Sequence, residues 1–144
     1  RDTAILASKF FAVDIDRDSQ ASFMMFKGQK EHDDREILKV QEFIEENYQE
    51  KITVDELAAR VSIGRRSFER RFKKATNNTV VEYMQRVKIE AAKRSFESSR
   101  KNINEVMFDV GYTDTKAFRT IFKKITGLTP VEYRNKYNKQ GMVE

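Results

Sequence analysis

One stretch of this chain occurs twice. Residues 65 to 83 read RRSFERRFKKATNNTVVEY, and residues 115 to 133 read TKAFRTIFKKITGLTPVEY. At an offset of fifty, nine of nineteen positions are identical, Phe68/Phe118, Phe72/Phe122, Lys73/Lys123, Lys74/Lys124 and Tyr83/Tyr133 among them. Upstream the offset becomes forty-nine, so that Val54-Asp55-Glu56-Leu57 faces Ile103-Asn104-Glu105-Val106. Self-similarity at this period means two copies of one supersecondary unit. The one-residue slip falls in a turn, where an insertion costs least.

The unit is helical. Thr53 with Glu56, Thr79 with Glu82 and Thr129 with Glu132 have the spacing of capping boxes, and Asn102 with Glu105 is a variant. Apolar residues then recur at helical spacing: Leu57 and Val61; Phe68, Phe72 and Ala75; Val106 and Val110; Phe118, Phe122 and Ile125. Ser62-Ile63-Gly64 and Gly111-Tyr112-Thr113 read as tight turns, each with a Gly for positive φ. Two short helices joined by such a turn describe a helix-turn-helix. Asn77 and Gly127 suit left-handed C-caps, and Pro130 suits the first position of the next helix. Residues 80 to 97 read as one bridging helix about 27 Å long, with Val81, Met84, Val87, Ala91 and Phe96 among its apolar positions. Residues 35 to 49 read as a further helix, with Ile37, Val40, Phe43 and Ile44 inward.

Composition excludes other classes. Five Gly and one Pro are too few for an all-β sandwich. The lack of Cys excludes disulfides, thiolate metal sites and a cysteine nucleophile, and the single His32 excludes most His-based triads. His32 reads as a surface residue rather than a ligand. The Asp14/Asp16/Asp18 alternation lacks the Gly and distal Glu of an EF-hand loop and reads as a solvated turn. No apolar run is long enough to span a bilayer. Residues 1 to 50 carry seven Lys/Arg and twelve Asp/Glu, whereas residues 51 to 144 carry twenty-one and eleven. The basic part suits a polyanion, either nucleic acid or an anionic membrane surface, and the bland alternative is an inert basic face.

With Phe68 and Phe72 inward, Arg66, Arg70 and Lys73 point outward, flanked by Ser67 and Glu69. The same face of the second unit holds Lys116, Thr120 and Lys123, with Thr115 and Arg119 beside it. A helix of this width fits the major groove of B-DNA, where Arg bonds guanine, Glu accepts from cytosine, and Thr serves either base. Lys73, Lys74, Lys123 and Lys124 lie further along and suit phosphates. The same basic face on two repeated units favours double-stranded DNA over the bland reading. The Phe stripes read as core, and Tyr83 and Tyr133 as packed beneath the repeated helix, with a hydroxyl contact to phosphate as the other option.

At these residues the chain resembles the DNA-binding domain of the AraC/XylS family of transcription regulators. Ile103, Glu105, Val106, Val110, Gly111, Tyr112, Asp114, Phe118, Phe122, Lys123, Lys124, Gly127, Thr129, Pro130, Tyr133 and Arg134 fall on its pattern. The resemblance covers residues 41 to 138. It implies two helix-turn-helix subdomains on a long helix, with both recognition helices in adjacent major-groove segments. Carried over by position, Arg65, Arg66, Glu69 and Arg70 match base-facing residues of the first recognition helix, and Thr115, Lys116, Arg119 and Thr120 those of the second. Three residues depart from the pattern: Gly64 where a capping Ser or Asp is common, Ser95 for a usual Leu, and Lys88 for a usual Arg. Residues 1 to 34 resemble the end of an amidotransferase-like, PfpI-type sensor domain. That resemblance implies a helix at Thr3 to Phe11, a linker from Asp14 to Lys30, and apolar residues left without their native partners.

The expectation is therefore an all-α fold: a sensor tail and linker at 1–34, then an AraC-type domain at 35–140. Its parts are a first helix-turn-helix at about 53–76, a bridging helix at about 80–97 and a second helix-turn-helix at about 103–126. The function expected is sequence-specific binding of double-stranded DNA in a cytoplasmic transcription regulator, with RNA polymerase as a partner. A small-molecule effector acts only through the sensor domain, and no membrane, metal, cofactor or enzymatic activity is expected. The chain begins at Arg1 without an apolar leader and reads as part of something longer, with residues 1 to 34 dispensable for DNA binding. The rival is a sequence-neutral architectural DNA binder.

Overall fold

Capping and apolar spacing divide the chain into helices at the places the repeat requires. The computed structural model describes residues 29–139, and the helices among them are α1 (Arg35–Asn47), α2 (Val54–Arg60), α3 (Arg65–Thr76), α4 (Val80–Ser98), α5 (Ile103–Asp109), α6 (Thr115–Thr126) and α7 (Pro130–Tyr137). Among the described residues there is no strand. The sensor tail, the Asp14/Asp16/Asp18 turn and the linker up to residue 28 lie outside them.

Each expected capping box forms. Thr53, Thr79, Asn102 and Thr129 each accept from the backbone N–H three residues on, and Glu56, Glu82, Glu105 and Glu132 reach back to the cap's own N–H. Such a cap stabilises its helix by about 1 kcal/mol. The N–H groups of Thr79 and Thr129 hold the Glu82 and Glu132 carboxyls below their ordinary pKa. Asn77 and Gly127 close α3 and α6 in the left-handed conformation, with φ of 64° and 85°.

The turns correct one expectation. In the first unit Gly64 does not supply the positive φ; it is the N-cap of α3, extended at φ −62°. The left-handed residue is Ser62, at φ 56°, and its counterpart in the second unit is Gly111, at φ 98°. The second turn is one residue longer, which makes room for Asp114. Its carboxylate accepts from the N–H of Lys116 and Ala117, whereas Gly64 gives α3 no side-chain cap.

Two apolar cores form, and α4 serves both. Val80, Tyr83 and Val87 pack into the first with Leu57, Phe68 and Phe72. Ile89, Ala91, Ala92 and Phe96 pack into the second with Val106, Val110, Phe118 and Phe122. The aromatic packing repeats as well: Phe72 meets Tyr83 edge-on at 5.4 Å, and Phe122 meets Tyr133 edge-on at 5.5 Å. Burying one such large side chain contributes roughly 1.5–3 kcal/mol. Val81, counted among the apolar positions of the bridging helix, is instead exposed, as is its counterpart Val131.

The repeat reaches one helix further back than the sequence comparison showed. Ile37, Val40 and Ile44 of α1 cover the first core, as Ile89, Ala92 and Phe96 of α4 cover the second. The two tyrosines confirm the correspondence. Tyr83 donates its hydroxyl to Glu45 of α1 at 2.8 Å, and Tyr133 donates to Glu97 of α4. Burial, then the neighbouring Glu45 carboxylate, pushes the Tyr83 phenol well above its ordinary pKa. Both hydroxyls are therefore committed inside the fold, and the option of a phosphate contact falls away.

His32 is not a bare surface residue either. It is half-buried; its Nδ1 accepts from the Asp34 N–H at 3.1 Å, so Nε2 carries the proton and donates to Gln41 Oε1 at 2.9 Å. Fully buried Gln41 donates in turn to the Gln29 carbonyl, and Lys30 pairs with Glu45 at 2.9 Å. Residues 29 to 34 are thus fastened to α1. Ser95, the departure on the bridging helix, is half-buried with its hydroxyl 3.3 Å from that of Ser99, and neighbouring Phe96 fills the core.

Candidate nucleic-acid interface

α3 and α6 each turn one apolar face to a core and leave a basic face outside. α3 carries six Lys/Arg and one Glu; α6 carries four Lys/Arg and no acidic residue. Arg65, Arg66, Glu69, Arg70, Lys73 and Lys74 are all exposed on α3. Thr115, Lys116, Arg119, Thr120, Lys123 and Lys124 are all exposed on α6. The phenylalanines that set these faces, Phe68, Phe72, Phe118 and Phe122, are fully buried.

Part of the α3 face is already engaged. Arg65 reaches Asp55 of α2 at 3.3 Å and Glu69 one turn on at 3.5 Å. These bonds are solvent-exposed and exchange readily for a ligand. Lys73 donates to the Asn77 carbonyl at 3.3 Å, at the C-terminal end of α3, where a cation suits the helix dipole. Arg66 and Arg70 stand between Arg65 and Lys73, in the first half of the helix, and Arg70 makes only a long bond, 3.5 Å, to the Ser67 hydroxyl.

Arg71 was missed by the sequence reading. It makes a bidentate pair with Asp34, at 2.7 and 3.0 Å, and reaches Glu36 at 3.1 Å. The guanidinium holds the Asp34 carboxyl below its ordinary pKa. Asp34 is also the N-cap of α1, so one carboxylate both starts α1 and ties α3 to it. The signal was in the repeat: the counterpart of Arg71 is Ile121, which packs against the second core. An arginine at a core-facing register needs a partner on the neighbouring element.

Residues 57–136 match the helix-turn-helix domain family. The chain belongs to that family, in its AraC-type branch. This AraC-type domain is 37% identical over 95 residues to the bifunctional transcriptional activator/DNA repair enzyme AdaA of Bacillus subtilis, covering 66% of this chain and 45% of AdaA. It is 30% identical over 102 residues to the xylose operon regulatory protein of Escherichia coli, covering 71% of this chain and 26% of that protein. Among solved structures it resembles the DNA-binding domain of the global transcriptional factor AdpA in complex with a target DNA. That likeness has a TM-score of 0.67 and 30% identity, over 70% of this chain and 91% of that chain. The chain spans less than half the length of either curated relative. An AraC-type helix-turn-helix domain binds DNA sequence-specifically in transcription regulation, and this is the function class of the chain. No helix among the described residues is long and apolar enough to cross a membrane.

Proposed function

We propose that the chain reads a bipartite site on double-stranded DNA, with α3 and α6 in successive major-groove segments on one face of the duplex. The observation that carries this reading is the recurrence of one exposed basic face on two helices attached to a common rod. Arg65, Arg66, Glu69 and Arg70 contact bases in one half-site; Thr115, Lys116, Arg119 and Thr120 contact bases in the other. Lys73, Lys74, Lys123 and Lys124 neutralise phosphates. α4 has nineteen residues, about 28 Å at 1.5 Å per residue. That length is comparable to the roughly 34 Å between major-groove faces one turn apart, so a rod of this size can set α3 and α6 about one turn from each other.

The wider reading follows the resemblance. The chain is the DNA-binding part of a cytoplasmic, non-enzymatic regulator that acts through RNA polymerase. An upstream PfpI-type sensor domain, ending within residues 1 to 34, takes a small-molecule effector.

Selection of binding sites from random duplexes tests the core of this reading. One enriched motif with two parts about one helical turn apart is the expected result. Equal affinity for selected and unrelated duplexes would make the chain a sequence-neutral binder and overturn it.

A further inference from the structure

Lys88 sits at the middle of α4, between the last residue that α4 gives to the first core, Val87, and the first it gives to the second, Ile89. Its side chain is half-buried. The ammonium donates to the Tyr48 carbonyl, just past the end of α1, and to the Val110 carbonyl, at the end of α5, the latter at 3.3 Å. It also lies 5.9 Å from the centre of the Tyr112 ring. One cation thus joins a loop of the first unit to the turn of the second. Tyr48 itself packs against both cores.

The two backbones meet closely at this place. A Cβ added to Gly111 would stand 2.8 Å from Lys88 Nζ, 3.0 Å from the Gln49 carbonyl oxygen and 3.2 Å from that of Tyr48. The first unit supplies an internal control. Ser62 occupies the corresponding turn position, also at positive φ, and is exposed. The turn alone therefore accepts a serine side chain. What Gly111 adds is room for the other unit's loop.

Two bodies carried on one rod share a bending mode at the point between their footprints. A bend of about 10° there, over a half-length of about 14 Å, moves the far end by about 2.5 Å. That approaches the roughly 3.4 Å step between base pairs. A second tie, off the rod's axis, removes this mode.

We infer that Lys88 is a positioning residue that fixes the register between the two recognition helices, and so sets which half-site spacing the domain accepts. This rests on the bipartite reading above. Burial holds the Lys88 ammonium below its ordinary pKa, in keeping with a cation taken out of water to serve backbone carbonyls.

The test uses the full chain and the selected bipartite duplex, with its spacer changed by minus one, zero, plus one and plus two base pairs. Affinity is read by fluorescence anisotropy, alongside a duplex holding one half-site. The wild-type chain and Lys88→Arg are expected to lose about tenfold or more for each base pair of spacer change, at 1.4 kcal/mol per tenfold. Lys88→Met is expected to bind all four spacings within about threefold of one another, and to bind the single half-site as the wild type does. A variant that merely lost stability would weaken every duplex alike. If Lys88→Met does not fold, Gly111→Ser takes its place: it wedges the two loops apart at a turn that Ser62 shows can hold serine. Retention of the wild-type spacing penalty by the folded variant overturns the latch and leaves the bipartite reading standing. A wild-type chain indifferent to spacing overturns both.

Discussion

The four lysines at the ends of α3 and α6 fix how salt should act on DNA binding. Lys73, Lys74, Lys123 and Lys124 lie in the last turns of the two helices and are exposed. Four lysines on four phosphates give a slope of log K against log salt of about −0.9 for each contact, or about −3.6 in total. Raising salt fourfold, from about 50 to about 200 mM, should then weaken binding by about 150-fold. Lys73→Ala or Lys123→Ala should each bring the slope to about −2.7, and the double variant to about −1.8. The weakening should be the same on selected and random duplexes, because a phosphate contact carries no sequence information. Lys73 must give up its bond to the Asn77 carbonyl, but that bond is exposed at 3.3 Å and its loss costs little. Anisotropy titrations at five or so salt concentrations measure the slopes. An unchanged slope in both single variants would refute the assignment, whatever happened to the affinity at any one salt concentration.

Arg66→Ala and Arg70→Ala should each cost about 1–3 kcal/mol on the selected site and relax discrimination in one half-site only; equal losses on random DNA would make them phosphate contacts. The Asp34 carboxyl is held below its ordinary value of 3.8 by the Arg71 guanidinium, so its contribution to stability is complete above that pH and is lost as the pH falls through the lowered folded value. Asp34→Asn keeps an equally good helix cap, so urea midpoints of wild type and variant should differ at neutral pH and converge in acid; a constant gap would mean that the ion pair contributes nothing. A chain begun at residue 35 lacks Asp34, His32 and Lys30, and loss of the cap alone removes about 1 kcal/mol. It should melt about 4–8 °C lower for each kcal/mol lost, yet hold operator affinity within about tenfold when measured below its melting point; a larger drop would place residues 1 to 34 in the binding function.

The helices and their faces could be read from sequence because their causes are local. A capping box is four residues long, and the positions of Phe68 and Phe72 dictate which neighbours point out. The turn was misread for an equally local reason: Gly64 was the visible candidate for positive φ, but the repeat aligned Gly111 with Ser62, and the alignment outranked the residue type. What stayed hidden is what joins separate elements. Arg71 looked like one more basic residue of α3 until Asp34, 37 residues away, took its guanidinium. His32 looked solvent-facing because its partner Gln41 is a polar residue at a buried position of α1, which no apolar pattern marks. Lys88 bonds to backbone carbonyls, and a carbonyl leaves no trace in the identity of its residue.

Each unit needs a helix behind its Phe and Tyr pair, and the two units obtain it differently. In the first, α1 is a separate element, and Ile37, Val40, Ile44 and Glu45 serve that unit alone. In the second, the same task falls to Ile89, Ala92, Phe96 and Glu97, on the C-terminal half of the helix whose N-terminal half completes the first. α4 is therefore a shared part of both folds rather than a spacer between finished ones. Cutting it would leave the second unit without the face that buries Phe118 and Phe122, while an inserted residue would rotate that face by about 100° against the first core. The rotation of one recognition helix about the rod relative to the other is thus set by the same side chains that stabilise the domain, while the bend at the middle of the rod is left to the Lys88 tie.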